Sequence, residues 1–380
     1  MKPTYFIIAL ILSTMLCSCT HQQASIAEHG DTLKIKYAEH LLITEYRDYH
    51  IVEIKNPWQK DKVLHTYVLV NREDSATTDL TSVPNGSTVI YVPVKKVISF
   101  NTAHAYLMGE IGAVNQLVGV ADLKFMLLPE IHRRVKEGLI ADCGDAMSPN
   151  IEKIIMLNPD AILLSPFENS SGYGRLEDIG TSLIECADYM ESSALGRAEW
   201  MKFYGMLLGK EQEVDSLFQV VDSTYHALRS QYGQSNKKPQ LLTEKLMGST
   251  WYVPGGKSPV AQLIADAGGT YAWADDTHNG SLSLPFETIL AKAGNSDVWI
   301  MSDYSDQPMT YTRLANEYHG YTMLNPFKKR RIWYVNSLQV PYFEEIPFRP
   351  ERLLRDYIIM LHPELKLGHP RYYRQLGIEK

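Results

Sequence analysis

Between Val214 and Tyr232 the apolar residues Val214, Leu217, Phe218, Val221, Tyr225, Leu228 and Tyr232 fall on one stripe. Their i, i+3/i+4 spacing is that of an amphipathic helix. A shorter run before it carries Trp200, Phe203, Tyr204 and Leu207 at the same period and stops at Gly209. Glu211 and Glu213 open the longer run, and Lys237-Lys238-Pro239 ends it. At 1.5 Å per residue the second helix would be roughly 33 Å long, about the width of a small domain. The pattern predicts a stiff strut between two halves of the chain.

Each half alternates short unbroken apolar runs with helical stretches. In the first, apolar runs at 97–99, 117–120, 161–164 and 183–186 are separated by helices such as 103–112. In the second, runs at 241–243, 271–273, 298–301 and 332–335 alternate with helices at 259–267, after Pro285 and around 351–361. Buried strands joined by helical crossovers predict parallel sheets covered on both faces. Ahead of Val97, alternating runs at 41–44, 49–55, 66–70 and 88–92, broken by Asn56-Pro57 and Asn85-Gly86, predict a small antiparallel appendage. The fold class is therefore α/β: two Rossmann-like lobes linked by one long helix, plus an N-terminal β appendage. The expected divisions are 1–18 as a signal peptide, 19–95 as tether and appendage, 96–195 as the first lobe, 196–236 as linking helices, and 237–380 as the second lobe.

The lobes share a phrase. Ile151-Glu152 followed by Pro159-Asp160 and the strand 161–164 in the first is matched by Phe286-Glu287, Asp297 and the strand 298–301 in the second. One glutamate in a first helical turn usually serves the helix dipole. Two at matching places suggest a shared further role.

Composition narrows the class. The net charge of −7 argues against a nucleic-acid partner, which would want a basic stripe. Lys2, the apolar residues 5–16 and the closing Leu16-Cys17-Ser18-Cys19 read as a secretory signal ending in a lipobox, with Cys19 as the lipidated residue. The mature chain would hang from a membrane by its acyl chains, and no other segment is apolar enough to span. Cys143 and Cys186 are then the cysteines left. Cys186 falls in an apolar run and Cys143 beside Gly144, which argues against a disulfide without excluding one.

Ligands of open parallel sheets gather beyond the carboxyl ends of the strands. Those ends lead here into Lys124-Phe125, Phe167-Glu168, Tyr173 and Arg175 in the first half, and Trp251-Tyr252, Trp273, Asp303-Tyr304 and Tyr342 in the second. Aromatic walls with a few polar groups suit a large flat or greasy ligand with some charge. The expected ligand contacts are Phe167, Tyr173, Arg175, Trp251, Tyr252, Trp273, Tyr304 and Tyr342, with Tyr173, Tyr252 or Tyr304 as conceivable ligands of a haem iron. Gly255-Gly256-Lys257-Ser258 imitates a phosphate loop, but Trp251 stands where its first glycine belongs. The histidines are scattered, neither G-x-S-x-G nor H-E-x-x-H occurs, and no metal site or catalytic set is expected.

Taken with the lipobox and the paired glutamates, the run 112–120 (Gly-Ala-Val-Asn-Gln-Leu-Val-Gly-Val), Asn150-Ile151-Glu152, Ala267-Gly268-Gly269 and Phe286-Glu287 resemble the iron-complex and cobalamin class of ABC-transporter substrate-binding proteins. The likeness runs from about Val97 to Leu361. It implies a non-enzymatic, monomeric receptor with limited hinge bending, no intrinsic cofactor, and a ferric siderophore, haem or cobalamin held between the lobes. It implies Glu152 and Glu287 as the carboxylates that dock on arginines of a dimeric permease with its ATPase, and a lipoprotein in the periplasm of a Gram-negative bacterium. Alternatives are a zinc or manganese receptor of the same fold, and a lipid-anchored hydrolase using cleft carboxylates such as Glu168 and Asp303.

Overall fold

A computed structural model describes residues 30–168, 172–234 and 236–377. The expected lipobox with Cys19, and most of the tether after it, lie outside the described residues. The appendage is a five-stranded sheet in sequence order: β1 (Asp31–Thr32), β2 (Leu41–Glu45), β3 (Tyr49–Lys55), β4 (Val63–Asn71) and β5 (Thr88–Val92). The expectation of a wholly antiparallel sheet is corrected at its last pair, because β4 and β5 run parallel. Residues 72–87 bring the chain back to start β5 beside Tyr67 in the middle of β4, running the same way as a parallel pair requires. In passing they lay Leu80 and Val83 over Tyr49, Ile51, Val68 and Val70, so this face is buried too. The other face, with Ile43, Val52, Ile54 and Leu69, joins the main core.

The first lobe's sheet contains β6 (Val97–Ser99), β7 (Leu117–Val120), β8 (Ala141–Asp142), β11 (Ala161–Leu164) and β12 (Ser182–Glu185), ordered β12-β11-β6-β7-β8 with every pair parallel. Its crossovers contain α1 (Thr102–Glu110), α2 (Pro129–Lys136) and α3 (Ile151–Leu157), the last entered through a hairpin of β9 (Gly144–Asp145) and β10 (Ser148–Pro149). Cys143 and Cys186 are both buried and unpaired, and burial pushes the Cys143 thiol up to about 11.

The connection consists of α4 (Ala194–Glu199), α5 (Met201–Leu208) and α6 (Glu211–Tyr232). Gly209 turns between α5 and α6 with φ of +64°, the left-handed region glycine enters without strain. Gly205 lets Val214 of α6 close on the α5 backbone, where a Cβ would collide with that valine's methyls. The expected stripe is the packed one: Val214, Phe218, Val221 and Tyr225 are buried. The far half of α6 is bonded to the second lobe, where Tyr225 donates its hydroxyl to Asp266 Oδ2 at 2.7 Å and Arg229 Nε lies 2.9 Å from Oδ1.

The second lobe's main sheet is made of β13 (Gln240–Thr243), β16 (Thr270–Tyr271), β18 (Val298–Asp303), β19 (Ile332–Asn336) and β20 (Arg374–Gln375), ordered β16-β13-β18-β19-β20, parallel except for the last strand. A separate three-stranded sheet holds β14 (Leu246–Met247), β15 (Thr250–Pro254) and β17 (Ser281–Leu284). The helices are α7 (Pro259–Asp266), α8 (Phe286–Ala293), α9 (Tyr311–Glu317), α10 (Asn325–Lys328), α11 (Tyr342–Glu345) and α12 (Pro350–Leu361). The strand expected over 271–273 stops at Tyr271, after which the chain turns.

Buried carboxylates join these parts. Glu199, with no solvent exposure, accepts the backbone N–H groups of Lys36, Tyr37 and Ala38 at 2.6–3.1 Å and pairs with Lys202. Glu191 accepts those of Glu39 and His40 and the indole N–H of Trp200. The lobes meet where α1 packs on α11. There Arg349 bonds Glu110 at 2.8 Å, and Glu344 Oε1 accepts the Leu127 N–H at 2.8 Å. Beside this seam, burial would raise the Glu345 carboxyl, but bonds from Arg371, Tyr372 and Arg352 hold it down at about 2.

Glu199→Ala strands three amide donors and a lysine, so it should cost about 3 kcal/mol in urea unfolding and speed amide exchange at 36–38. Glu345 sits below its unfolded carboxylate range of about 4.5, so its contribution is fully present above that pH and fades as pH falls toward 2. The wild type should lose stability across that window, and Glu345→Gln should flatten the decline.

Candidate ligand cleft

At the seam, the carboxyl ends of β6 and β7 face those of β13, β18 and β19 across a cleft of about 570 Å³. A parallel strand in each lobe delivers its following loop to this same edge, so every wall is a strand-end segment. Phe100 and Thr102 follow β6, Lys124 and Phe125 follow β7, Lys245 follows β13, and Tyr304 follows β18. The segment 337–344 after β19 supplies Leu338, Val340, Pro341, Tyr342 and Phe343. At the mouth, Phe125 and Tyr304 meet edge-on from opposite lobes with ring centroids 5.7 Å apart. Both remain about half exposed, at 42% and 55%. Such a pair is in place to grip or admit a flat apolar body.

The charges of the cleft are largely committed. Asp303 is bonded by the Arg313 fork at 3.1 and 3.2 Å and lies 3.7 Å from Lys245, whose ammonium also meets Glu317 at 2.7 Å. Lys124 lies 4.8 Å over the Phe125 ring. Tyr342 bonds Tyr373 hydroxyl to hydroxyl at 3.0 Å, and burial pushes its phenol well above the ordinary range. Among the described residues no group of three or more His, Cys, Asp and Glu side chains could hold a metal ion. The buried His104 is bonded to Asp188 at 2.9 Å.

Of the ligand contacts expected from sequence, the structure brings Tyr304 and Tyr342 to this cleft. Trp251 is instead fully buried in the second lobe, its indole N–H donated to the Thr243 carbonyl at 2.8 Å and its ring 5.6 Å from Trp299. Trp273 is buried too, against Tyr271. Tyr252, on β15, is 42% exposed and outside the cleft lining. Phe167, Glu168 and Tyr173 border a different cavity, between the first lobe and the appendage. Glu168 and Asp303 therefore do not face one another as acid and base. Tyr173 donates to Glu185 at 2.7 Å, and burial followed by that bond pushes its phenol far up, the opposite of what an iron-bound phenolate needs. Arg175 is exposed, 3.9 Å from Glu152. Lys245, Leu338, Val340, Pro341 and Phe343 were missed by sequence reasoning. The signal for the last four was their position directly after the strand 332–335.

Glu152 and Glu287 occupy the first turns of α3 and α8 and are exposed. Each helix feeds a parallel strand, α3 into β11 and α8 into β18. A crossover helix runs against the strand it feeds, so both first turns lie toward the carboxyl ends of their sheets, the cleft side.

Residues 97–337 match the periplasmic binding protein family. An uncharacterized lipoprotein of Methanocaldococcus jannaschii is 24% identical over 92% of this chain and 86% of its own length. Among solved structures, a possible iron-binding periplasmic solute-binding protein of Staphylococcus epidermidis aligns with TM-score 0.57 at 20% identity, covering 71% of this chain and 99% of that one. The periplasmic heme-binding protein RhuT of Roseiflexus, in apo form, aligns with TM-score 0.56 at 22% identity, over 71% and 98%. At these identities the structural likeness is one of fold.

Because Phe125 and Tyr304 are exposed and Trp251 is core, Phe125→Ala and Tyr304→Ala should each shift the unfolding free energy by less than about 1 kcal/mol. Trp251→Ala should cost about 4 kcal/mol. Urea denaturation of the three variants checks the division.

Proposed function

The chain belongs to the periplasmic binding protein family, and on that premise we propose that it is the lipid-anchored substrate-binding protein of an ABC importer. It captures an iron complex, haem or cobalamin in the interlobe cleft and delivers it, unchanged, to a dimeric permease driven by its ATPase. The observation that carries this reading is the cleft itself: aromatic and aliphatic loops from two parallel sheets converge on one space, with most of their charges already paired within the protein. A site of that kind offers area and shape rather than a reacting group. The separation of Glu168 from Asp303 into two cavities weighs against the hydrolase alternative.

Attachment is through Cys19, and the chain acts as a monomer outside the cytoplasm. No helix among the described residues is long and apolar enough to cross a membrane. The lipoprotein relative is archaeal, so the reading rests on an anchored receptor and not on a Gram-negative envelope. Glu152 and Glu287 serve as the docking carboxylates. Two such charges held at fixed spacing match a two-fold partner and raise the rate of encounter more than the final affinity.

Titration of the purified protein with haemin, cyanocobalamin and ferric siderophores, followed by visible absorption, should give saturable binding to one of these classes. Phe125→Ala and Tyr304→Ala should weaken it by about tenfold each, since an aromatic contact is worth on the order of 1 kcal/mol or more. Failure of all three classes to bind would sink the ligand assignment. In reconstituted transport, Glu152→Ala with Glu287→Ala should lower uptake by more than about tenfold while the ligand Kd stays within about twofold. Loss of ligand affinity in that double variant would instead move the docking face elsewhere.

A further inference from the structure

The family match begins at Val97, and the solved structures that fit almost their whole length account for about 71% of this chain. The appendage is therefore outside the family match, and where it meets the first lobe there is a cavity of about 680 Å³, larger than the interlobe cleft. Its floor is bonded across both parts. Glu185 on β12 takes the Tyr173 hydroxyl on Oε1 at 2.7 Å and lies 3.2 Å through Oε2 from His65 Nδ1 on β4. His65 Nε2 meets Thr88 Oγ1 on β5 at 2.8 Å, and its ring stacks on Tyr67 at 4.3 Å. These contacts join the appendage to the first lobe at the floor of the cavity.

The lining has a consistent chemistry. Three carboxylates, Glu168, Glu177 and Glu185, border the space, and among the described residues lining it there is no lysine or arginine. Aromatic faces are supplied by Trp58 from the appendage and by Phe167 and Tyr173 from the lobe, with Phe167 48% exposed. Carboxylates repel an anion, and a neutral solute without hydrogen-bond donors would gain nothing from them. A cation gains from both the carboxylates and the ring faces, the combination that favours ammonium groups over neutral isosteres.

We propose that this groove is a second ligand site, which binds a small organic cation: an ammonium or quaternary ammonium group on a flat apolar body. The apolar body lies against Trp58 and Phe167, and the charge faces Glu168 and Glu177. The proposal is independent of what the interlobe cleft carries.

The test is isothermal titration of the purified protein with benzyltrimethylammonium, using benzyl alcohol as its uncharged counterpart. Saturable binding of the cation is expected, with benzyl alcohol at least about tenfold weaker. Trp58→Ala and the exposed, fold-neutral Glu168→Gln should each weaken the cation by about threefold or more. Tyr304→Ala, in the other cavity, should leave it unchanged. Absence of saturation, equal affinity for the alcohol, indifference to both groove variants, or loss with Tyr304→Ala would each overturn the proposal.

Discussion

The width of the cleft is set by one helix that cannot choose which half of the molecule to follow. The near half of α6 is packed on α5 through Val214 and Gly205, while its far half is bonded to Asp266 of the second lobe. Between the two anchors Asp222 takes the Tyr37 hydroxyl at 2.6 Å, so the appendage is tied to the same rod. A continuous helix resists bending because every turn is hydrogen-bonded to the next. The three parts are thus held on one axis, and the lobes cannot swing apart without breaking the seam at Glu110 and Glu344 as well. Carboxylates recur at these joints, and each is costly to bury. They are tolerated because nearly every oxygen has a donor, and an acceptor of fixed geometry then selects one arrangement among the many an apolar contact would allow.

The topology explains why the cleft loops and the two exposed glutamates share a side of the molecule. In a parallel sheet all strands end at one edge and all crossover helices begin there. The cleft loops follow strands, and Glu152 and Glu287 open helices, so both sets are delivered to the carboxyl edges without any long-range steering. The echo between the two halves of the sequence is this geometry repeated. Asn150 caps α3 by accepting the Lys153 N–H at 2.9 Å, whereas α8 starts from Pro285 without a side-chain cap. The first turn is thus fixed by different local means in the two lobes, while the glutamate keeps its place.

What could be read from the sequence was whatever a local period determines. The stripe from Val214 to Tyr232 gave α6 to the residue at its start, and unbroken apolar runs located eight strands of the two lobe sheets to within a residue or two, but not the short β8 and β20 or the separate sheet of β14, β15 and β17. Facing could not be read so easily. Trp251 and Tyr252 are neighbours, yet strand alternation sends the first into the core and the second outward, and nothing local says which. Trp273 follows a strand that ends two residues early, so its chain turns back over the lobe instead of reaching the cleft. Phe167 and Tyr173 do follow β11, as expected for binding residues. They lean toward the appendage because Glu185 and His65 draw Tyr173 that way, a contact between residues more than a hundred positions apart. The parallel β4–β5 pair was hidden for a similar reason, since strand direction depends on where residues 72–87 lay their apolar side chains.

On the receptor reading, a stiff link changes where binding energy goes. A receptor that closes by a wide hinge motion must draw on ligand contacts to shift that equilibrium, which lowers the apparent affinity by the fraction of closed form at rest. Here the lobes already touch through Phe125 and Tyr304, so capture asks for side-chain displacement at the mouth and little else. The same stiffness makes release the harder step, because a preformed cleft has no relaxed open state to fall into. Force applied at two separated carboxylates, one on each lobe, acts directly on the seam that the lobes share. A partner holding both would strain the Glu110 and Glu344 contacts together, which is a way to open the cleft that a single docking point could not provide.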